Sequence, residues 1–426
     1  MKPINELFLV SESITPPLFL NTKSRVSRKS TPVIARVNPN ELELTYLNNG
    51  LIFNSINKLV QTMFNWGEFI IEADDPELME FMDKFTSGLG SSGSLITWPQ
   101  LLEEICLNSC IFGKSFVENI FNKKGNRIVD WDIVNTKSID YAKDTNGNIV
   151  LNNNSSPVGY FQTLPDNYSD ELPEQILPDD VVAPMTSTNY LFIEAKRLAQ
   201  IQLFKVGDGF YPVGLVETIY RDNVRKLNIK ETVANSADWH GYPILHAKLG
   251  DMQHPPNAQQ IEDTLEVLEN LRYTKEICTP YNYDLNMIES GGESFKNARV
   301  QLDLFEDEEI AGLGVPKAIA KNLTDGSGTA VMRQLMMTFH LTIKDVAKRV
   351  AIGVRREMFA PLVKLEGFKE VPRLVYKFNS PDELDIKARR LLKYKQAGLL
   401  EPDESISNMI KEMEGLKTGG KDGIKK

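Results

Sequence analysis

Four places in this sequence set chemistry-bearing residues at suggestive spacing. Gly88, Gly90 and Gly93 match the GxGxxG pattern of dinucleotide-binding turns. Gly113-Lys114-Ser115 ends like a phosphate-cradling loop. Asp238, His240, His246 and Asp251 place two imidazoles near two carboxylates. Asp303, Glu306, Asp307, Glu308 and Glu309 crowd carboxylates onto one short stretch, where pairs of them could hold a divalent cation. Each chemistry needs more than its residues. A dinucleotide turn follows a strand and opens a helix, with an acidic residue ending a second strand about 20 residues on. Here a helical pattern precedes Gly88 and that acid is missing. A phosphate loop needs a glycine five places before Gly113, and that place holds Asn108, inside a helical run. The histidines have no nucleophilic Ser or Cys in an elbow. On a helix Asp303 and Asp307 share one face while Glu308 and Glu309 turn away, which makes a charged helix face and not a metal cage. No metal site, cofactor or catalytic residue is expected, and the chain is not expected to be an enzyme.

Cysteines give no other reading. Cys106 and Cys110 lie one helical turn apart in an apolar stretch and Cys278 is remote, so buried reduced thiols are expected in place of a zinc site or disulfide framework. The 426 residues are 42% apolar with a net charge of −10, which allows two or three domains with real cores. A pI near 5.2 lacks the overall basic footprint of a sequence-reading nucleic-acid binder. The N-terminus has no signal-peptide core, and no apolar run reaches the ~18 residues that would span a membrane.

The elements that would position any site follow from periodicity. Residues 1–40, with the basic run Lys23, Arg25, Arg28 and Lys29, read as a flexible arm. Three helices are predicted from 41 to 112: one carrying Ile52, Ile56, Leu59, Val60 and Met63, one opened by Asp75-Pro76, and one starting near Trp98-Pro99. Two hairpins follow, turning at Lys124-Gly125-Asn126 and at Asn146-Gly147. The sequence predicts a short strand in ILPDDVVAPM, then a long helical region from Leu191 to Trp239, broken near Gly207–Gly209. A small α/β insert comes next: YPILHAKLG and DLNMIES as strands, EICTPYN as another, and an amphipathic helix through Ile261, Leu265 and Leu268. FKNARVQLDLFEDEEIAGLG leads out as a helix. The strongest pattern, Met332, Leu335, Met336, Phe339, Ile343, Val346, Val350, Val354 and Met358, predicts a helix unbroken to Pro361. RLVYKFN then reads as a strand, followed by two helices and a Gly/Lys tail.

Two long helices enclosing a small α/β insert, then GVPKAIAKNLTDGSGTA before a very long helix, resemble viral portal proteins. CLNSCIFGKSFVENIFNKKGNRIVDWDIV is similar to the family's wing, and EEIAGLGVPKAIAKNLTDGSGTAVMRQ to its approach to the long helix. The resemblance covers roughly residues 40–416. It implies an α+β, mainly helical fold with wing, stem, clip and crown regions around a bridging helix. The implied limits are arm 1–40, wing 41–209, first stem helix 210–240, clip 241–294, second stem helix 295–316 and tunnel loop 317–328. The bridging helix would be 329–363, a wing strand 364–382, the crown 383–416 and the tail 417–426.

The resemblance also implies a function. The chain would form a ring, usually of twelve copies, at one vertex of a virion capsid and be assembled in the host cytoplasm. Double-stranded DNA would pass through it during packaging and ejection. Its partners would be the terminase large subunit, a head–tail adaptor, and the major capsid and scaffolding proteins, with no membrane. Channel residues would be Asp303, Glu306 and Asp307 as an acidic face, Lys317 and Lys321 as transient phosphate contacts, and Asn322, Thr324, Asp325, Gly326, Ser327 and Gly328 in the loop. Glu262, Asp263, Glu266 and Glu269 would make the clip helix an acidic docking face for motor or adaptor. The rival readings are another virion adaptor protein or a nucleic-acid-processing enzyme.

Overall fold

A computed structural model describes residues 30–31, 37–89, 96–152, 156–164, 177–178, 180–184, 189–205, 210–241, 244–249, 255–270, 283–288, 293–321, 329–378 and 381–396. The chain divides into two compact units. One comprises residues 1–34 and 138–195, the other 35–137 and 196–426.

The larger unit opens with α1 (Pro39–Asn48) and α2 (Gly50–Trp66). Asn38 caps α1, its side chain accepting from the Asn40 N–H, and Pro39 occupies the first turn, where its missing N–H costs nothing. Asn49 breaks the two helices apart and caps the second, accepting from the Leu51 N–H at 3.1 Å. Ile52, Ile56, Leu59, Val60 and Met63 then bury one stripe of α2, as their spacing predicted. β2 (Gly67–Glu72) follows, and α3 (Pro76–Gly88) is capped by Asp75. α4 (Trp98–Phe112) starts with the Thr97 N–H donating to Gln100 Oε1. It stops at Gly113, whose φ of +77° only glycine adopts cheaply. β3 (Lys114–Phe121) and β4 (Ile128–Val134) form the expected hairpin, turning at Gly125 with φ +68°.

The smaller unit holds β5 (Ile139–Tyr141), β6 (Ile149–Val150), β7 (Gly159–Thr163) and β8 (Tyr190–Glu194). β7 lies between β5 and β8, both antiparallel to it, and Ala142, Val150, Phe161 and Val181 pack together. Asn146-Gly147 makes the expected turn, with the Asp144 carboxylate accepting the N–H groups of Asn146 and Asn148. The segments leaving it meet as the expected hairpin, bridged between Lys143 and Ile149 and with the Val150 N–H donating to the Ala142 carbonyl, and each also takes a further partner. β5 pairs with β7, and β6 pairs with β1 (Ser30–Thr31). The arm expected to be flexible therefore contributes a short strand. ILPDDVVAPM contributes a single bridge, Val182 to Lys143.

The predicted helix from Leu191 is wrong in its first part. Residues 190–194 are β8, and Leu198–Gln202 are β9, the outer strand of the order β4-β3-β9 in the larger unit. Tertiary pairing overrides a helical-looking composition here: β9 lies against β3 and buries Leu198, Ala199, Gln200 and Ile201. Beyond it come α5 (Leu215–Gly241), β10 (Ile244–Leu249), α6 (Ala258–Asn270), β11 (Tyr283–Ile288) and α7 (Glu293–Leu313), with β10 and β11 antiparallel. EICTPYN lies outside the described residues.

One helical turn, α8 (Lys317–Ala320), precedes α9 (Thr329–Val354). The long helix does not stop at Pro361. A π-helical turn, Arg355–Phe359, joins α9 to α10 (Ala360–Glu366), with the Ala360 N–H reaching the Arg355 carbonyl. Its buried stripe starts at Phe339 and runs through Ile343, Val346, Val350, Val354 and Met358, whereas Leu335 is exposed. β12 (Arg373–Phe378) pairs antiparallel with β2, and α11 (Pro381–Gln396) follows. The second C-terminal helix and the tail lie outside the described residues. Among those described, no helix is long and apolar enough to cross a membrane.

The core centres on Trp131, fully buried, ringed by Phe85, Trp98 and Phe359 and donating its indole N–H to Asn119 Oδ1 at 3.0 Å. α5 is launched from this core by a backbone crossing. A Cβ on Gly113 would lie 2.5 Å from the Val213 carbonyl carbon, and one on Gly214 would lie 2.5 Å from the Ile111 carbonyl oxygen. Gly113→Ala and Gly214→Ala should each destabilise the protein by roughly 2 kcal/mol or more, read as an earlier thermal transition. Gly125→Ala, whose Cβ would meet nothing within 4 Å, should cost only about 1 kcal/mol for its left-handed backbone.

Candidate functional site

Five of the residues predicted to matter, Asp303, Glu306, Asp307, Lys317 and Lys321, lie on α7 and at α8, where these meet α5 and α2. α5 and α7 are antiparallel. A Cβ on Gly312 would lie 2.4 Å from Ile219 Cγ2, Lys226 pairs with Glu309, and the charge of Lys230 acts on Glu306. Moving forward along one helix moves backward along the other. Gly312 lets the two backbones close at their base.

The pair at the centre of this contact is buried outright, with side chains 2% exposed at Lys226 and fully covered at Glu309. Asn49 Nδ2 donates to Asn223 Oδ1 at 2.8 Å and to both Glu309 carboxylate oxygens at 3.3 Å. One asparagine therefore caps α2 with its oxygen and joins α5 to α7 with its nitrogen. The sequence reading missed this cluster and counted Glu309 as turned away from the acidic face. A signal was present. Val216, Ile219, Asn223 and Lys226 fall on one helical stripe, and a lysine on a buried stripe demands a carboxylate opposite.

Of the predicted channel residues, Asp303 and Asp307 are exposed on α7, but Glu306 and Asp307 are not free charges. Lys317 Nζ lies 2.7 Å from Asp307, and Lys321 Nζ lies 2.6 Å from Glu306. Partial burial pushes Glu306 up, but the hydrogen bond and charge of Lys321, with the charges of Lys226 and Lys230, hold it below the ordinary carboxylate range. α2 holds α8 from the other side. Asn54 Nδ2 donates to the Ala320 carbonyl and Lys58 Nζ to the Ile319 carbonyl, both at 2.8 Å, so the last carbonyls of the turn are satisfied by side chains. The expected tunnel loop thus begins as an anchored helical turn. Asn322, Thr324, Asp325, Gly326, Ser327 and Gly328 lie outside the described residues. On α6, Glu262, Asp263 and Glu266 are exposed and Glu269 shares the helix.

Lys114, from the phosphate-loop-like triplet, is buried at the start of β3, its Nζ 5.1 Å from the Phe116 ring centre and 5.4 Å from that of Tyr211. The order there is helix, turn, strand, as the sequence implied. Cys106 and Cys110 are free and buried, and burial drives both thiols up, Cys110 to about 12. Among the described residues, no three His, Cys, Asp or Glu side chains gather as a metal site would require.

Residues 56–411 match the family model described as the portal protein of Mu bacteriophage. That span includes both long helices, the insert between them, α8 and the bridging helix. The chain belongs to this portal protein family. Its function is the portal's: a ring channel for DNA packaging and ejection. Solved structures share the portal chain's mixed, mostly helical fold. In the neck of an empty gene transfer agent particle with C6 symmetry, a chain aligns at TM-score 0.59 and 13% identity, over 92% of this chain and 97% of that one. The neck of the native particle with C12 symmetry gives 0.56 and 12%, over 92% and 97%. The native virion of such a particle gives 0.57 and 13%, over 91% and 96%. No curated protein matches significantly.

Two outcomes test this site. Lys226→Met or Glu309→Leu alone should cost about 3–5 kcal/mol in chemical denaturation, because each strands a buried charge. The double variant should recover most of that loss. Glu306, held below its unfolded value, contributes stability that is present above about pH 4.5 and is lost as pH falls through its folded value. Glu306→Gln should therefore lower stability at pH 7 and flatten its fall between about pH 5 and 3, in melting curves taken across that range.

Proposed function

We propose that α5 and α7 are the stem of the portal subunit, β10, α6 and β11 its clip, and α9 with α10 the helix bridging stem and wing. The wing would be residues 41–209 with the strand at 364–382, and the crown residues 383–416 inside the capsid. The single observation that carries this reading is the family match across 56–411, within which the chain leaves its core on α5, makes a small α/β insert, and returns antiparallel on α7.

The role is mechanical and hydrolyses nothing. A ring, for which twelve copies is supported by the C12 neck of similar fold, sits at one vertex of the virion and is assembled in the host cytoplasm. Its clip, with Glu262, Asp263, Glu266 and Glu269, receives the terminase large subunit and later the head–tail adaptor. Its wing and crown meet the major capsid and scaffolding proteins.

The channel must pass a polyanion without holding it. Each basic group that neutralises a phosphate releases counterions and adds salt-dependent affinity. The flank of α7 carrying Asp303, Glu306 and Asp307, with Lys317, Lys321 and the 322–328 loop, fits that need. Its two lysines are already neutralised by Asp307 and Glu306, so they hold DNA only by breaking those pairs.

Negative-stain electron microscopy with a solution mass measurement tests the reading. Rings with a central hole and a mass near twelve times the 48.1 kDa chain are expected. A chain that stays monomeric at high concentration, even with capsid protein added, would overturn it.

A further inference from the structure

The α5–α7 pair has two outer faces, one on each helix, pointing away from the shared contact. At about 100° per residue, Arg221 and Arg225 lie nearly opposite the buried Val216, Ile219, Asn223 and Lys226, with Val224 beside them. On α7, Val300, Leu304 and Glu308 lie nearly opposite the buried Glu309, Ile310 and Leu313. Both faces leave large apolar side chains in water, Val300 at 68% and Leu304 at 56% exposed on α7, Val224 at 36% on α5. Single exposed aliphatics are ordinary on a monomer. Val300 and Leu304 form a short stripe beside Glu308 on α7, while on α5 Val224 stands beside Arg221 and Arg225, with Glu217 one turn before Arg221.

Height along the pair matters as much as charge. Lys226 stands level with Glu309, so Arg225 and Glu308 stand within about 3 Å of one another along the axis, on opposite outer faces. A head-to-tail contact closes into a ring without rise only if its two halves lie at the same height on the subunit.

We propose that these two faces dock on each other between adjacent copies, with Arg225 of one chain against Glu308 of the next and Val224 and Leu304 flanking that pair. This rests on the ring reading above and supplies its contact. It also divides α7 between two tasks, because Asp303 and Glu306 lie on the other flank of the helix. Among the described residues Arg225 has only a loose partner, Asp222 at 3.7 Å, so it can turn to a neighbouring carboxylate at little cost.

Charge exchange tests it. Arg225→Glu and Glu308→Arg are made singly and together, with thermal unfolding of each variant to show that it folds. Each single variant should give about tenfold fewer rings than wild type at equal concentration, by mass measurement and negative stain. The double variant, which exchanges the two charges, should regain them. An equimolar mixture of the two single variants should also assemble, in alternation, closing only into even-numbered rings.

Folded single variants that assemble like wild type, or a folded double variant that does not recover, would overturn this contact and leave the ring intact. Absence of rings in the wild type would overturn the ring reading itself, and this contact with it.

Discussion

The ion pair between Lys226 and Glu309 is the constraint on which the rest of the site depends. Two full charges taken out of water are expensive, and their attraction offsets that expense only when geometry and hydrogen bonds are complete. Here Asn49 completes them, while the same residue separates α1 from α2 and caps the second helix. The pair can form only when α1, α2, α5 and α7 are all in register. An apolar contact at this place would tolerate a slip of one turn along the helix. A lysine that slipped would be buried facing no carboxylate. The pair therefore fixes how far α7 stands along α5, and with it the height of every group on either outer face.

That register then organises the charges around it. α7 presents Glu306 and Asp307 to α8 about one turn from Glu309, and Lys317 and Lys321 meet them there. Asn54 and Lys58 of α2, the helix that Asn49 caps, hold the carbonyls at the other side of α8. The start of the predicted loop is thus pinned to α7, which the buried pair aligns, and to α2, which Asn49 caps. The cost of an acidic chain handling DNA is handled locally. Lys317 and Lys321, the two basic groups proposed for the channel, are committed to carboxylates of their own chain, and such pairs would limit how tightly they could hold a phosphate.

Much of the fold was readable because its signals are local. The α2 stripe, the helix opening at Asp75-Pro76, the turn glycines at 125 and 147, and the spine of α9 from Phe339 each follow from a few neighbouring residues. What was misread depends on distant partners. Residues 190–202 look helical until β3 and β7 are present to pair with them. The segments around Asn146-Gly147 bridge each other as expected, but that β5 and β6 also pair with β7 and β1 depends on distant strands. The helix predicted over 329–363 does run past Pro361, but the π-helical turn just before that proline is not legible in its spacing. Asp303, Glu306 and Asp307 were read as a free acidic face, with Glu309 turned away, because helical spacing gives directions and not neighbours. It cannot tell that Glu309 meets a lysine across the core, or that Glu306 and Asp307 are already paired.

Identity was readable from element order, and there is a physical reason for this. A catalytic site constrains a few side chains to sub-ångström placement, so it leaves motifs. A channel built from repeated subunits constrains the heights and directions of long helices, which many side chains can satisfy. The solved structures of similar fold share only 12–13% identity with this chain while aligning over more than nine-tenths of it. What such a chain must keep is the launch of α5 from the Gly113–Gly214 crossing, the return on α7, and one interaction stiff enough to hold the two in register. In this sequence that interaction is a buried charge pair, invisible to any motif and decisive for where the exposed charges on α5 and α7 come to lie.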